Sequence, residues 1–258
     1  MAIVFNKYQG AGNDFIMIDN RKSIFNPDDH LLINKLCDRR FGIGADGLIL
    51  IYESLQHDFE MKYYNADGFE GTMCGNGGRC SADFAIKSGI TGKKLSFKAT
   101  DGVHKAISED GIIRLQMNDV KQPQLINGNY FINTGSPHYV LFKKSLNNID
   151  VNEEGKKIRW SEEFAPGGTN VNFVETDKNG IYVRTFERGV EEETLSCGTG
   201  VTASAIASVL SGHIGTNSIK IKTKGGDLSV SFIITEKNIS DIWLSGPATF
   251  VYKGEIAV

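Results

Sequence analysis

Two stretches, MCGNGGRCSADFAIKSG at residues 73–89 and SCGTGVTASAIASVLSG at residues 196–212, share one frame: C-G-x-G-x-x-x-S-A, then five residues, then S-G. Their cysteines, Cys74 and Cys197, lie 123 positions apart (197 minus 74). Sliding the whole chain against itself by that distance extends the match without a gap. Gly12 meets Gly135, Gly44 meets Gly167, Gly92 meets Gly215, Thr100 meets Thr223 and Gly102 meets Gly225. The alternating stretch Phe59, Met61, Tyr63 falls on Tyr182, Arg184, Phe186, and the apolar LILI from Leu48 falls on VNFV from Val171, so strand meets strand. A period this long is not that of a solenoid; it describes two similar units, tandem copies of one another. The first is expected over residues 1–122, completed by a last strand at residues 247–258, and its duplicate over residues 123–246.

In each copy the Ser-Gly closing the frame reads as a helix stop, because glycine takes the left-handed position after a helix without steric penalty. The cysteines then stand at helix starts. The helix after Cys197 carries Val201, Ala203, Ala205, Ile206, Val209 and Leu210, small or apolar on most faces, and such a helix must be buried all round. Short alternating strands such as KLSFKATDG and SIKIKTKGG surround each one. The fold class that follows is α+β: two similar lobes related by pseudo-two-fold symmetry, each with strands wrapped about one central helix.

Composition narrows the function. A chain of 258 residues, 40% hydrophobic, buries a substantial core. Its formal charge of −3 carries no basic stripe for nucleic acid. The apolar run before Asn6 is too short for a signal-peptide core and no later stretch approaches a membrane span, so no membrane association and a cytoplasmic location are expected. The four cysteines, Cys37, Cys74, Cys80 and Cys197, lack the C-x-x-C spacing of zinc or redox sites and read as free thiols.

Cys37 and Cys80 read as small buried residues, and Ala203 takes the place of Cys80 in the second copy. Cys74 and Cys197 do not. A helix start offers unpaired N–H groups and partial positive charge, so a thiol there ionises more readily and an anion beside it is well held. Glycines at 75, 77, 198 and 200 let a ligand carboxylate approach the amides of Gly75-Asn76 and Gly198-Thr199. Two sulfurs, one thiolate and one thiol, on opposite sides of an α-carbon would invert it without metal or pyridoxal. Two thiolates repel, so the pair shares one proton. The carbanion charge would fall on carboxylate oxygens facing the amides.

With GAGNDF, RRFGIGADG, YNADG, MCGNGGR, GSPH, TFERGV and LSCGTG in this order, the chain resembles the diaminopimelate epimerase family over nearly its whole length. The resemblance implies two lobes, each a β-barrel-like sheet around a central helix. It also implies a cofactor-independent isomerase interconverting LL- and meso-2,6-diaminopimelate, in lysine and peptidoglycan precursor synthesis, as a homodimer. By motif, Cys74 and Cys197 correspond to the acid/base pair, and Gly75, Asn76, Gly198 and Thr199 to the backbone cradle. Asn13, Asn65, Asn170 and Arg188 match residues that hold the far end of the substrate. Glu187 would face an ammonium or, with His138, set the protonation of the thiols. Three positions depart from the family pattern: Ser136 stands where asparagine is usual, Gly47 where glutamine is common, and the loop after Arg188 reads GVEEET. At the offset of 123, Asn65 meets Arg188 and Asn13 meets Ser136, which puts Asn65 and Arg188 at the same strand end.

Rival readings remain. GIGADG and GTGVTA fit the glycine pattern of a dinucleotide-binding turn, but the first runs into the strand LILIY and the second lacks the later acidic residue. A non-catalytic anion-binding protein would need only the helix starts, and serine would serve it as well as cysteine. A proline racemase-like enzyme would share paired cysteines without gripping a second charged end, which Arg188 and the asparagines supply here.

Overall fold

The computed structural model describes residues 2–257, and the chain forms two compact units, Met1–Leu115 with Gly246–Val258, and Gln116–Ser245. In the first, β1 (Ala2–Gly10), β2 (Asn13–Asp19), α1 (His30–Cys37), β3 (Gly47–Tyr52), β4 (Phe59–Asn65), α2 (Gly75–Lys87), β5 (Lys94–Ala99), β6 (Gly102–Glu109) and β7 (Ile112–Gln116) follow in turn. Beyond the second unit's β8 (Val120–Lys121), β9 (Gln124–Ile126), β10 (Asn129–Asn133), β11 (Pro137–Phe142), α3 (Val151–Arg159), β12 (Asn170–Thr176), β13 (Ile181–Glu187), β14 (Glu192–Thr194), α4 (Gly198–Leu210), β15 (Ser218–Thr223), β16 (Gly226–Ile234) and β17 (Asn238–Pro247), the final strand β18 (Thr249–Ala257) pairs antiparallel with β1.

Each unit repeats one strand plan. The first runs β18, β1, β2, β3, β4, β5, β6, β7, with β2/β3 and β4/β5 parallel and the other pairs antiparallel. The second runs β9, β10, β11, β12, β13, β15, β16, β17, again with two parallel joins, β11/β12 and β13/β15. Parallel neighbours require a long crossover, and here each crossover carries a helix: α1 or α3 over the first join, α2 or α4 over the second. Registers repeat as well. Phe15 faces Gly47 in one unit and His138 faces Asn170 in the other, both members displaced by 123.

The repeat is not gapless, however. β4 and β13 correspond at a displacement of 122 (181 minus 59), α2 and α4 at 123 (198 minus 75), and β5 and β15 at 124 (218 minus 94). The connection from β13 to α4, residues 188–197, is one residue longer than its counterpart 66–74, and that from α4 to β15 is longer by one again. Loops absorb such insertions while a strand that slipped would turn every side chain to the wrong face. Tyr64 therefore matches Phe186, each buried in its outer core, and Asn65 matches Glu187, which corrects the expected pairing of Asn65 with Arg188. Likewise Gly102 corresponds to Gly226, not Gly225, since each opens the strand after β5 or β15.

The sheets are apolar on both faces, which is why LILI runs without alternation. Leu48, Leu50, Ile16, Ile18 and Tyr64 pack outward against Ile33 and Leu36 of α1; Val171, Phe173 and Phe186 do so beside α3. The opposite face holds the buried helix. Strands β1, β2, β3, β4, β6 and β18 all touch α2, and β10 to β13, β15 and β16 touch α4, so each sheet curves around its helix. Both helices end as their Ser-Gly pairs require: Ser88 and Ser211 are the C-caps, and Gly89 and Gly212 follow at φ of 69° and 73°.

Candidate active site

In the first unit Cys74 is the N-cap of α2, in extended backbone (φ −94°, ψ 126°). Its half-buried Sγ lies 3.3 Å from Oδ1 of Asn13, at the start of β2. The orientation of that amide is fixed from its other end, where Nδ2 donates to the Asp46 carboxylate at 2.5 Å. A carboxylate only accepts, so Oδ1 faces the sulfur and the Asn76 amide, 3.5 Å away. Asp46 is itself held by Arg39, which also grips Asp14. Burial alone would raise the Asp14 carboxyl; hydrogen bonds from Arg39 and Lys7, with their charges, outweigh it and bring it down to about 2.

Beneath Cys74 on α2 lies Arg79, fully buried. Its guanidinium donates to Asn76 Oδ1 at 2.8 Å and to Gly75 O at 3.2 Å, and Nε has no partner. Among the described residues no carboxylate forms an ion pair with it. Burial pulls its affinity for the proton down, and the Cys80 and Cys74 sulfurs pull it up. A guanidinium remains protonated under such opposition, so it places positive charge under the helix start, where the backbone N–H groups also point.

The second unit builds the same helix start from different side chains. Cys197, the buried N-cap of α4 (φ −118°, ψ 114°), has Sγ 3.4 Å from Thr199 Oγ1. His138 Nε2 lies 2.9 Å from the same oxygen, and Asn172 Nδ2 lies 3.1 Å from His138 Nδ1. Thr185 donates to Asn172 Oδ1 at 3.0 Å, and Thr134 donates to the Thr199 carbonyl at 3.0 Å. Burial pushes the His138 imidazole down to about 3, and the nearby positive charge of Arg188 acts in the same direction. The ring is therefore neutral at physiological pH. Gly200 allows this arrangement, because a Cβ there would come 2.5 Å from Asn172 Oδ1 and 3.3 Å from His138 Cε1.

The residues singled out by sequence divide accordingly. Asn13, Cys74, Gly75 and Asn76 cluster in the first unit; His138, Cys197, Gly198 and Thr199 cluster in the second. Asn65 ends β4, exposed, with its backbone in the turn to Phe69. Asn170 is buried and braces its own strand ends: Nδ2 donates to Ser136 Oγ and Pro137 O, and Oδ1 accepts from the Arg188 N–H at 2.8 Å. That bond holds the exposed Arg188, whose guanidinium reaches Gly167 O at 3.4 Å. Half-buried Glu187 accepts from Thr194 at 3.0 Å. Sequence reasoning missed Asp46, Arg79, Thr134, Asn172 and Thr185. Arg79 alone left a signal, a cation in the second turn of a helix that opens on glycines and small residues. The outlying thiols are as expected: burial raises Cys80 and lifts Cys37 to about 12. Among the described residues no three His, Cys, Asp or Glu side chains are arranged to hold a metal ion, and no helix is long and apolar enough to cross a membrane.

Known proteins of two kinds match this chain. The family model for diaminopimelate epimerase matches residues 5–122 and 130–251. The chain is 53% identical over 97% of its length to the diaminopimelate epimerase of Flavobacterium psychrophilum, covering 98% of that protein. With the diaminopimelate epimerase of Chlorobaculum tepidum the identity is 46%, over 96% of this chain and 99% of the other. Among solved structures it is similar to a PhzF-family phenazine biosynthesis protein of Bacillus anthracis, with TM-score 0.80, 15% identity and full coverage of both chains. A hydroxyproline epimerase of Agrobacterium vitis, solved with trans-4-hydroxy-L-proline bound, gives TM-score 0.71 at 12% identity, over 100% of this chain and 93% of that one. The structural matches show the fold, and its class is the α+β expected.

Proposed function

This chain belongs to the diaminopimelate epimerase family, and from that premise we propose that Cys74 and Cys197 are the acid/base pair with which it inverts one α-carbon of 2,6-diaminopimelate. It is an isomerase of amino-acid biosynthesis, supplying the pathway to lysine and peptidoglycan precursors. The observation that carries the residue assignment is the duplicated helix start: each copy sets a cysteine at the N-cap of a buried, glycine-opened helix.

An α-proton beside a carboxylate is weakly acidic, and its removal leaves charge on the carboxylate oxygens. The N–H groups of Gly75-Asn76 and Gly198-Thr199 suit that charge, being fixed donors at positive helix ends. One sulfur takes the proton as the other delivers one to the opposite face, so the products differ only in configuration and the reaction runs in either direction. Asn13, Asn65, Asn170, Glu187 and Arg188 are proposed to hold the distal amino-acid end. Arg188 supports this, since a guanidinium grips a carboxylate with paired hydrogen bonds and its own backbone is pinned by Asn170. No cofactor enters this scheme. We place the enzyme in the cytoplasm as a homodimer, an assembly that analytical ultracentrifugation tests directly.

Incubation of LL-diaminopimelate in deuterated water without added cofactor is expected to give epimer carrying deuterium at one α-carbon. Cys74→Ala and Cys197→Ala are each expected to lower kcat by about a hundredfold or more, the scale of general acid–base catalysis. Near-normal turnover by either variant would reject the pair.

A further inference from the structure

The two copies differ at the positions that pack behind the helix start. In the first unit these are Phe15 and Ile49, both fully buried, lying against Gly77. In the second, displaced by 123, they are His138 and Asn172, lying against Gly200, with Thr185 at the position matching Tyr63 on β4. Hydrocarbon thus satisfies the packing of this fold at these positions. A buried polar set there costs free energy unless every group is hydrogen-bonded, and it brings no packing advantage.

The hydrogen bonds of this set have one direction only. Asn172 Nδ2 lies 3.4 Å from the Tyr139 carbonyl, which can only accept, and its Oδ1 receives the Thr185 hydroxyl. The amide is therefore oriented with its NH2 toward His138 Nδ1, which must be the unprotonated nitrogen of a neutral ring. The ring hydrogen sits on Nε2 and is donated to Thr199 Oγ1. Thr199 then has its own hydrogen left for Cys197 Sγ.

We propose that Asn172 is a positioning residue for Cys197: it locks His138 as the Nε2–H tautomer, so that the Thr199 hydroxyl donates to the Cys197 sulfur and favours the thiolate there. His138 is then a neutral donor and not a proton acceptor for the thiol, because both ring nitrogens are already committed. At Cys74 the direction is reversed. The Asn13 carbonyl oxygen accepts from the S–H, which favours the thiol, against the pull of the buried Arg79 charge. The proposal rests on Cys197 being an acid/base group, but its measurement needs no turnover.

Other charges around α4 are few. The helix carries none, Lys220, Lys222 and Asp227 of β15 and β16 are exposed, and Arg184 of β13 is paired with Glu193. Glu187 and Arg188 remain at the end of β13, the first accepting from Thr194 and the second opposing protonation of His138.

Two readouts on the free enzyme test this. Nitrogen-15 NMR of the imidazoles, with His138 assigned by its loss in His138→Gln, is expected to show an unprotonated Nδ1 and a protonated Nε2. The pH profile of Cys197 alkylation by iodoacetamide, read by peptide mass spectrometry, is the second. Asn172→Asp reverses the tautomer, since a carboxylate must receive Nδ1–H, and Thr199→Val removes the hydroxyl. Each is expected to move the Cys197 profile to higher pH and slow alkylation at neutral pH roughly tenfold, the effect of one hydrogen bond to a charged group. Thr199→Ser is expected to restore the rate, and the Cys74 rate is expected to stay within twofold. A wild-type His138 protonated on Nδ1, or an unchanged Cys197 profile in Thr199→Val, overturns the proposal. Should Asn172→Asp fail to fold, the wild-type tautomer and the half-buried Thr199 variants decide the matter. Loss of the acid/base assignment itself would show separately, as turnover retained by Cys197→Ala.

Discussion

Gly200→Ala and Gly77→Ala make the same change at matched positions of the two central helices, and the structure gives them different outcomes. A methyl group at Gly200 would stand 2.5 Å from Asn172 Oδ1 and 3.3 Å from Cys197 Cβ. Ordinary contact needs about 3.5 Å, so the amide must retreat by about 1 Å, enough to break its bonds to Thr185 and His138, now 3.0 and 3.1 Å. Each lost buried bond costs about 1 kcal/mol or more, and overpacking adds about 1–3 kcal/mol. The helix gains back only about 1 kcal/mol from alanine over glycine. The net loss is roughly 2–4 kcal/mol. At Gly77 the methyl meets Ile49 Cδ1 at 3.0 Å and Phe15 at 3.6 Å, a flexible tip and an ordinary contact. There the strain and the helix gain nearly cancel, leaving a change within about 1 kcal/mol of zero. Thermal unfolding followed by circular dichroism is expected to place the Gly200→Ala Tm roughly 5–10 °C below that of Gly77→Ala. Equal Tm values would refute the argument that the polar chain behind Cys197 is rigidly held.

Removing the buried charge in Arg79→Met is expected to slow alkylation of Cys74 at neutral pH while leaving Cys197 within twofold; an unchanged Cys74 rate would show that this charge does not reach the sulfur. The carboxyl of Asp14 is depressed to about 2 in the folded chain against about 3.9 unfolded, so its contribution to stability is fully present above about pH 4 and is lost as pH falls through 2. That contribution is at most about 2 kcal/mol, screened in part because Arg39 is exposed, and Asp14→Asn should lower the urea midpoint at neutral pH but hardly at pH near 2.

Much of this molecule is legible in local sequence. The repeated frame placed two helices to the residue, their cysteine N-caps and their Ser-Gly ends, because capping and helical periodicity act over a few residues. The apolar run LILI read as a strand, and it is one; that both its faces are covered is shown by the structure. The gapless offset misled at β13, where one residue added to a loop moved Glu187, and not Arg188, to the strand end matching Asn65. Sequence counts loop residues and strand residues alike, whereas pairing tolerates insertion only in the loops.

The sequence by itself determined the duplication, from one frame met again 123 positions on, and the α+β class and the family, from residue types in ordered motifs; it also singled out the two cysteines. Only the tertiary structure decided which polar group each sulfur meets. Cys74 finds Asn13 sixty-one positions earlier, and Cys197 reaches His138 through Thr199, which stands sixty-one positions after that histidine. Such partners are brought together by the curvature of a sheet about its helix, and the direction in which their hydrogens point depends on a further layer, Asp46 for Asn13 and Tyr139 and Thr185 for Asn172. No spacing rule encodes that layer, because a hydrogen bond depends on distance and angle in space and not on separation along the chain.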